Sequence, residues 1–420
     1  MNSDNVYTRR STVKGAAVVA GLALGSSLSG ASAAALPGKP SIDKADQLFE
    51  AGGFRAADAM YWVLAGDPDN VHALAQHAYV TVLANRLPAA KSLLKRVLRL
   101  DPRHSRSLSN LADVLWRQDA FDELASILPL VDKGGPSATV GQLKSFARRR
   151  PYQISGPRSV RIPFLAVDPL PMIEVSLNGA PPEVFFLDTG GKFALNQKYA
   201  EELDIPMYGY TADRTMYGEH KAYQGRVDLL TLGDVRIRHL PVHTIPEEIR
   251  LTAPDGRVTK GAIGTSVLSH FLSTIDYPGK ALVLRRKQHF SSADLPRAMS
   301  TPMWFLGSHF LLSHGTVNDL DPMVFFVDTG GGDIGFTAPR STFKAAKMPI
   351  PPGDGLHPVT MDKVTLGPAV RRDLPGLIGA FPQWFEDGFG FHIGGLPTHQ
   401  FFKPYGLTLD FDRMRILMST

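Results

Sequence analysis

The sequence predicts a multidomain protein in which α-helical hairpin repeats are followed by a mostly β, two-lobed domain. Three observations support this prediction. A 34-residue period runs through residues 41–130, short alternating strands separated by turns follow it, and one strand-and-turn motif occurs twice, 140 residues apart. With 420 residues, 44% of them hydrophobic, the chain is long enough to bury two or three cores.

Composition excludes several classes of function. The 45 basic and 40 acidic residues give a formal net charge of only +5, which disfavours a nucleic-acid partner. The chain has no cysteine, so disulfide scaffolds, thiol catalysis and cysteine-ligated zinc are excluded. Carboxylate, serine or histidine chemistry remains.

Residues 1–33 are predicted to be a signal peptide. Arg9-Arg10 precedes a modestly apolar stretch, Gly15 to Leu24, and the small residues Ala31-Ser32-Ala33 follow. The order and the paired arginines resemble a twin-arginine export signal, which implies an exported protein, periplasmic or extracellular. About ten apolar residues are too few to span a bilayer, so no stable membrane span is expected after signal removal. The alternative is an anchor that is never cleaved.

Residues 41–130 are predicted to form helical hairpins. Asp67-Pro68 and Asp101-Pro102 lie 34 residues apart, and the small and apolar positions before each proline agree: Ala56 with Ala90, Met60 with Leu94, Leu64 with Leu98. This pattern resembles tetratricopeptide repeats, whose units bury their apolar faces by stacking. Two interpretations remain open here, a surface that docks a protein partner and a plain helical cap on the next domain.

A segment rich in Pro, Gly and Arg, residues 131–157, is predicted to be a linker. Strand signals such as Ile173-Glu174-Val175-Ser176-Leu177, followed by the turn residues Asn178-Gly179, begin after it. The duplication described next divides this β region into a first lobe, 158–290, and a second lobe, 291–420.

The duplicated motif is an apolar strand that runs into Asp-Thr-Gly-Gly. Glu183 to Gly191 is echoed by Met323 to Gly331, which places Asp188 and Asp328 in equivalent positions. A pseudo-twofold axis would bring the two carboxylates side by side, where they cannot both ionise and therefore share one proton. Such a pair can activate a water molecule for peptide hydrolysis, although turn aspartates that cap strand ends are the alternative.

Residues 158–420 resemble retropepsin-like and pepsin-like aspartic proteases with two fused Asp-Thr-Gly lobes. The resemblance implies catalysis by Asp188 and Asp328, a protein or peptide substrate, and no cofactor or metal. It further implies that active-site loops, one flap and two supporting loops surround the dyad, with these residues: Thr189, Gly190, Thr329 and Gly330 in the loops, Tyr217 and Gly218 in the flap, Gly264 and Gly394 in the supporting loops.

Gly191 and Gly331 depart from the family pattern, in which a hydroxyl or small residue usually follows the tripeptide. Without a hydroxyl donor, each aspartate is expected to keep its proton to higher pH. The sequence therefore predicts an exported aspartic endopeptidase with a helical-repeat domain. The alternative is a non-catalytic periplasmic peptide-binding or scaffold protein built on a degenerate protease fold.

Overall fold

The computed structural model describes residues 39–131, 137–215, 218–295, 297–353, 355–382, 385 and 388–420. The predicted signal peptide, residues 1–33, lies outside this set. Within the described residues, every helix is too short or too polar to cross a lipid bilayer.

The N-terminal region consists of three antiparallel helical hairpins, here called the helical array. The first helices of the second and third hairpins begin at residues 71 and 105, 34 residues apart, as the sequence period predicts. Ala45, Ala57 and Ala90 are fully buried where helices cross, because small side chains permit close approach. The six helices are α1 Ile42–Glu50, α2 Phe54–Leu64, α3 Val71–Leu83, α4 Leu87–Leu100, α5 Ser105–Arg117 and α6 Phe121–Val131.

The predicted linker, residues 131–157, contains regular structure, and this part of the prediction is wrong. Residues Ser137–Lys144 form helix α7, whose Gln142 Nε2 donates to the carbonyl oxygens of Gly225 at 2.7 Å and Val242 at 2.8 Å. Residues Gln153–Ser155 form strand β1, which pairs with first-lobe residues 236–238. Residues 137–157 therefore pack as part of the first lobe, which the Pro, Gly and Arg content of the segment concealed.

The first lobe is built on an eight-stranded sheet in the order β1-β8-β5-β9-β4-β3-β7-β6. Its central strands are buried on both faces, as the apolar run 184–187 requires. The elements are β3 Met172–Leu177, β4 Glu183–Asp188, β5 Ala194–Asn196, α8 Gln197–Glu202, β6 Met207–Thr215, β7 Gly218–Leu232, β8 Val235–Ile245, β9 Gly261–Gly264 and α9 Thr265–Leu268.

The second lobe repeats this plan in a seven-stranded sheet, in the order β13-β14-β15-β19-β16-β18-β17. In both lobes the strand that carries the aspartate lies between an antiparallel neighbour and a parallel one. The elements are β13 Trp304–Leu306, β14 Phe310–Val317, β15 Met323–Val327, β16 Phe336–Thr337, α10 Arg340–Ala345, β17 His357–Leu366, β18 Ala369–Ile378, β19 Ile393–Pro397 and α11 His399–Phe402.

A six-stranded sheet joins the lobes, in the order β12-β21-β20-β10-β11-β2. Strand β10 of the first lobe pairs with β20 of the second, and Thr274 and Thr408 hydrogen-bond across this junction at 2.7 Å between their hydroxyl oxygens. The strands are β2 Ser159–Pro163, β10 Phe271–Asp276, β11 Ala281–Arg286, β12 Met299–Pro302, β20 Gly406–Asp410 and β21 Arg415–Ser419. The architecture is thus a helical region followed by a mostly β domain of two fused lobes.

The helical array packs on the second lobe through a continuous apolar core. Phe54 lies edge-on to Trp304 and Phe391, at ring-centroid distances of 5.3 and 4.9 Å. Phe54 and Phe391 are each only 1% exposed, so the two regions share one interior. The packing favours the helical-cap interpretation over that of an independently folded docking module.

Candidate active site

The two aspartates stand at the ends of buried strands in the middle of their lobes. Strand β4 carries Asp188 and is flanked by β3 and β9; strand β15 leads into Asp328 and is flanked by β14 and β19. An apolar strand covered on both faces fixes the backbone at its end, so each carboxylate has little positional freedom.

Thr189 and Thr329 tie the two loops together. The Thr189 amide donates to Thr329 Oγ1 at 3.0 Å, and the Thr329 amide donates to Thr189 Oγ1 at 2.9 Å. The Thr189 hydroxyl in turn donates to the Val327 carbonyl at 3.3 Å. Both threonines have 0% exposure. This reciprocal exchange brings the two predicted active-site loops into contact across the lobe interface.

The glycines of the tripeptides leave room for the opposite carboxylate. The Gly190 amide donates to Asp188 Oδ1 at 2.8 Å, and the Gly330 amide donates to Asp328 Oδ1 at 2.7 Å. A Cβ atom at Gly190 would lie 2.5 Å from Asp328 Oδ1, and one at Gly330 would lie 2.5 Å from Asp188 Oδ1. Each loop therefore reaches the other aspartate, and only glycine fits at these two positions.

The aspartates influence each other's ionisation. Burial, followed by the charge of Asp328 and its hydrogen bond with Asp188, raises the pKa of Asp188 well above its ordinary value, while the amides of Gly190 and Gly191 lower it. Burial also raises the pKa of Asp328, against the lowering effect of the Gly330 amide. The pair therefore retains a proton to higher pH than an isolated carboxyl group.

The glycines that follow the tripeptides occupy filled space. A Cβ at Gly191 would lie 2.7 Å from Asp188 Oδ2, and one at Gly331 would lie 2.7 Å from the Cβ of Thr398. The Gly191 amide lowers the pKa of Asp188, and it donates a hydrogen bond to the backbone carbonyl of Asp188 at 3.3 Å. Serine at these positions would therefore collide with its neighbours, contrary to the expectation that it would supply a missing donor.

Of the two predicted supporting-loop glycines, the structure places only Gly264 beside an aspartate. Gly264 is the register partner of Asp188 in the parallel pair of β4 and β9. In the second lobe Phe325 pairs with Gly395, and the Asp328 amide donates to the Pro397 carbonyl at 3.3 Å. Thr398 therefore stands opposite Asp328, and the prediction of Gly394 is wrong.

The register of β15 and β19 locates the error, because Val324 pairs with Ile393 and, after a one-residue shift, Phe325 pairs with Gly395. Gly394 lies four residues before Thr398 and packs against the side chain of Met323. Helices α9 and α11 confirm the corrected equivalence, since Gly264 and Thr398 are their respective N-cap residues. Sequence matching aligned Ile263-Gly264 with Ile393-Gly394, two similar pairs that occupy different positions along their strands.

Tyr217, the predicted flap tip, lies outside the described residues. Gly218 begins strand β7, whose antiparallel partner β6 ends at Thr215, so the two strands form a long hairpin in the first lobe. Strands β17 and β18 are the second-lobe counterparts of β7 and β8. Among the described residues, no second-lobe strand corresponds to β6.

Sequence reasoning missed two residues that buttress the first loop. The Thr265 hydroxyl donates to the Thr189 carbonyl at 2.8 Å, and Ser266 Oγ accepts the Phe193 amide at 2.8 Å. Both residues follow the supporting-loop Gly264, and adjacency to that motif was the available signal.

The described residues contain no group of three or more His, Asp or Glu side chains arranged to hold a metal ion.

Comparison with known proteins is consistent with this geometry. Residues 173–267, which include the first Asp-Thr-Gly loop, match the family described as "Aspartyl protease". No curated protein gives a significant match.

Similar solved structures include three proteins. An aspartic proteinase from Irpex lacteus has 13% identity and a TM-score of 0.40, covering 62% of this chain and 97% of that one. A retropepsin-like aspartic protease from Rickettsia conorii has 21% identity and a TM-score of 0.23, covering 32% and 94%. Basic 7S globulin from soybean has 10% identity and a TM-score of 0.39, covering 64% and 97%. The family match and the paired Asp-Thr-Gly loops identify an aspartic-protease-like fold in the β domain.

Proposed function

We propose that this protein is an aspartic endopeptidase that hydrolyses peptide bonds with water activated between Asp188 and Asp328. The observation that carries the proposal is the reciprocal hydrogen bonding of Thr189 and Thr329, which joins two carboxylate-bearing loops into one buried, proton-sharing site. A pair of unrelated turn aspartates would need neither this connection nor glycines that leave space for the opposite carboxylate.

In the proposed reaction one carboxylate is ionised and the other is protonated. The ionised group accepts a proton from water as the water oxygen forms a bond to the scissile carbonyl carbon, and the protonated group donates to the carbonyl oxygen. Collapse of the tetrahedral intermediate breaks the C–N bond, and the amine leaves with a proton from the dyad. The raised pKa of the pair keeps the required single proton available.

The second candidate is a protein that binds peptides without cleaving them. Gly191 and Gly331 motivated this alternative in the sequence. Because the Gly191 amide already lowers the pKa of Asp188, the absence of a hydroxyl group at that position gives the alternative less support.

Cleavage of an unfolded protein tests the proposal. The purified mature chain should convert a reduced, denatured substrate protein into peptides between pH 4 and 7, with the products identified by mass spectrometry. Asp188→Asn and Asp328→Asn should each lose activity by about 10²-fold to 10⁴-fold, the range for a general acid or base. Equal residual cleavage in wild type and both variants would favour the binding-only alternative.

Export and a protein partner for the helical array remain parts of the proposal. Changing Arg9 and Arg10 to lysine should retain the precursor in the cytoplasm, which fractionation and immunoblotting would measure. Mature-sized protein outside the cytoplasm of that variant would instead support a general secretory route.

A further inference from the structure

Asp168 is a first-lobe carboxylate that the proposed chemistry does not use. It lies in the turn between strands β2 and β3. This turn is bonded to the strand that carries the first aspartate, because the Leu187 amide donates to the Pro171 carbonyl at 2.9 Å. Leu187 immediately precedes Asp188, so the turn that holds Asp168 is connected directly to the first catalytic loop.

Three side chains of the second lobe converge on Asp168. His399 Nε2 lies 3.0 Å from Asp168 Oδ1, and Lys403 Nζ lies 2.9 Å from each carboxylate oxygen. Gln400 Nε2 donates to Oδ1 at 3.4 Å. His399 and Gln400 belong to helix α11, and Lys403 is its C-cap residue. These four side chains form a cross-lobe anchor, in which one carboxylate of the first lobe holds a helix of the second.

The His399 ring has one favoured protonation state. Its side chain is 0% exposed, and Nδ1 has no hydrogen-bond partner among the described residues. A proton on Nδ1 would be a buried donor without an acceptor, so the proton is on Nε2, which donates to Asp168. Burial lowers the pKa of His399 below its ordinary value, although Asp168 and Asp333 raise it. The contact is therefore a hydrogen bond from a neutral imidazole to a carboxylate.

Asp168 stays ionised in the acid range. Burial raises its pKa, but the hydrogen bonds that it accepts from Lys403 and His399 outweigh burial and hold the pKa below the ordinary value of 3.8. The anchor therefore contributes stability above that ordinary value, and the contribution is lost only as the pH falls through the lowered pKa. Tyr277 packs on the His399 ring at a centroid distance of 5.5 Å, and burial raises its pKa, so it stays neutral.

Helix α11 in turn holds the second catalytic loop. Its N-cap residue, Thr398, donates from Oγ1 to the Gly331 carbonyl at 3.2 Å. The Gln400 amide donates to the Ile334 carbonyl, also at 3.2 Å. These acceptors belong to the loop that follows Asp328, so a displacement of α11 would displace this loop and its carboxylate.

The first lobe supports its own loop without crossing the interface. Thr265 is the first residue of α9, as His399 is of α11. The Thr265 hydroxyl donates to the Thr189 carbonyl of the same lobe at 2.8 Å. In the second lobe, the residue at this position depends on an acceptor in the other lobe.

We propose that Asp168 is a positioning residue for the dyad, which acts through His399 and helix α11 to fix the second catalytic loop relative to the first. The inference rests on the proposed peptidase function. The lobes then have two connections near the dyad, one through the threonine exchange and one through α11. Loss of the anchor should let the carboxylates separate, which slows the chemical step more than it weakens peptide binding.

Asp168→Ala tests the proposal, with Asp58→Ala as the matched control. Asp58 contacts His77 Nδ1 at 2.7 Å and Arg86 at 3.0 Å, so it has the same histidine and cation partners, but within the helical array. Asp168→Ala should lower kcat by about tenfold and change KM by less than about twofold. Asp58→Ala should leave both constants unchanged. Asp168→Asn keeps an acceptor for His399 and should retain most of kcat.

The pH profile separates positioning from a simple loss of stability. Weaker coupling between the two carboxylates brings their apparent pKa values closer together. The bell-shaped profile of kcat should therefore narrow by about one pH unit in Asp168→Ala. Free energies of unfolding should fall in both alanine variants, whereas the profile of Asp58→Ala should keep its wild-type width.

Carboxyl ¹³C NMR titration of aspartate-labelled protein gives a readout that needs no cleavage. The signals of Asp188 and Asp328 are assigned from their asparagine variants, and their two titrations should lie closer together in Asp168→Ala than in wild type. This readout tests the anchor even if wild type cleaves no peptide and the peptidase proposal fails. The positioning proposal is overturned if Asp168→Ala leaves the two titrations unmoved, or if Asp58→Ala moves them equally.

Discussion

The two lobes place equivalent aspartates in equivalent loops but have diverged around them. The first lobe has the long hairpin of β6 and β7 and glycine opposite its aspartate, at Gly264. The second lobe has Thr398 at that position, and its outer face is covered by the helical array, with Phe54 against Phe391. The first lobe thus supplies a long strand hairpin, and the second lobe supplies the surface on which the helical array packs.

Comparing the lobes shows which structural features the two aspartates require and which features differ from one lobe to the other. The threonine exchange and the glycines at 190 and 330 are nearly identical in the two lobes, because each loop must approach the opposite carboxylate. Further from the carboxylates, the described residues of the second lobe differ from the first in strand register, in having no counterpart of β6, and in packing against the helical array. Substitutions at the shared positions should therefore have matching effects, and substitutions at the divergent positions should not.

The largest expected effect is the loss of activity in Gly190→Ala and Gly330→Ala. Each new Cβ would lie 2.5 Å from an oxygen of the opposite aspartate, so the dyad must separate. We expect kcat/KM to fall by about 10²-fold to 10⁴-fold in both variants. Peptide cleavage assays check this, and a loss in one lobe only would contradict the equivalence of the two loops.

The next effect concerns the interface between the array and the second lobe. Phe54→Ala should lower the free energy of unfolding by about 3–5 kcal/mol, because the ring is 1% exposed between Trp304 and Phe391. Trp62→Ala, at a site 67% exposed on the same helix, is the control and should have little effect. Denaturant titration measures both variants.

A fragment of residues 155–420 sharpens the same point. An independent docking module would leave this fragment able to fold alone, whereas the shared core predicts that it will aggregate or unfold. A monomeric fragment with the stability of the whole chain would restore the independent-module interpretation.

Thr189→Val and Thr329→Val should destabilise the protein to similar extents. Each change keeps the shape of the side chain but leaves one buried amide without its acceptor, at a cost of about 1–3 kcal/mol. Chemical unfolding and peptide cleavage of the two variants provide the comparison. A difference of more than about 2 kcal/mol between the free energies of unfolding of the two variants would show that the two hydrogen bonds contribute unequally to stability.

The smallest effects should distinguish the lobes at Gly191 and Gly331. Gly191→Ser places a Cβ atom against Asp188 Oδ2, so activity should fall more than stability. Gly331→Ser places a Cβ atom against Thr398, so the free energy of unfolding should fall by about 1–3 kcal/mol. Adding Thr398→Ala should recover stability in the second case only. Recovery of stability in both serine variants on adding Thr398→Ala would contradict this difference between the lobes.

The sequence predicted the repeated elements and the dyad because their signals are local or duplicated. The 34-residue period and the apolar strands ending in Asp-Thr-Gly each specify a feature without knowledge of the rest of the chain. Gly394 was misassigned because the second lobe has a threonine, Thr398, at the position of Gly264, while a similar Ile-Gly pair ends four residues earlier in the chain. The placement of helix α5 was also inaccessible, since it depends on hydrogen bonds from Arg117 to the carbonyls of Phe305 and Gly307, which are remote in the sequence.

The proton-sharing dyad is the central claim, and the pH dependence of stability tests it most directly. A carboxyl group whose pKa in the folded state exceeds its ordinary value of 3.8 makes the folded state bind more protons than the unfolded state. The contribution of the dyad to the free energy of unfolding should therefore decline as the pH rises above about 4. Asparagine cannot ionise and removes this decline.

The measurement is the free energy of unfolding of wild type, Asp188→Asn and Asp328→Asn at pH 4 and pH 7.5, with the exposed Asp321→Asn as control. Both dyad variants should gain stability relative to wild type between the two pH values, by about 1.4 kcal/mol for each unit by which the pKa is raised, and the control should not. A difference from wild type that stays constant with pH in both dyad variants would contradict a shared, buried proton at Asp188 and Asp328.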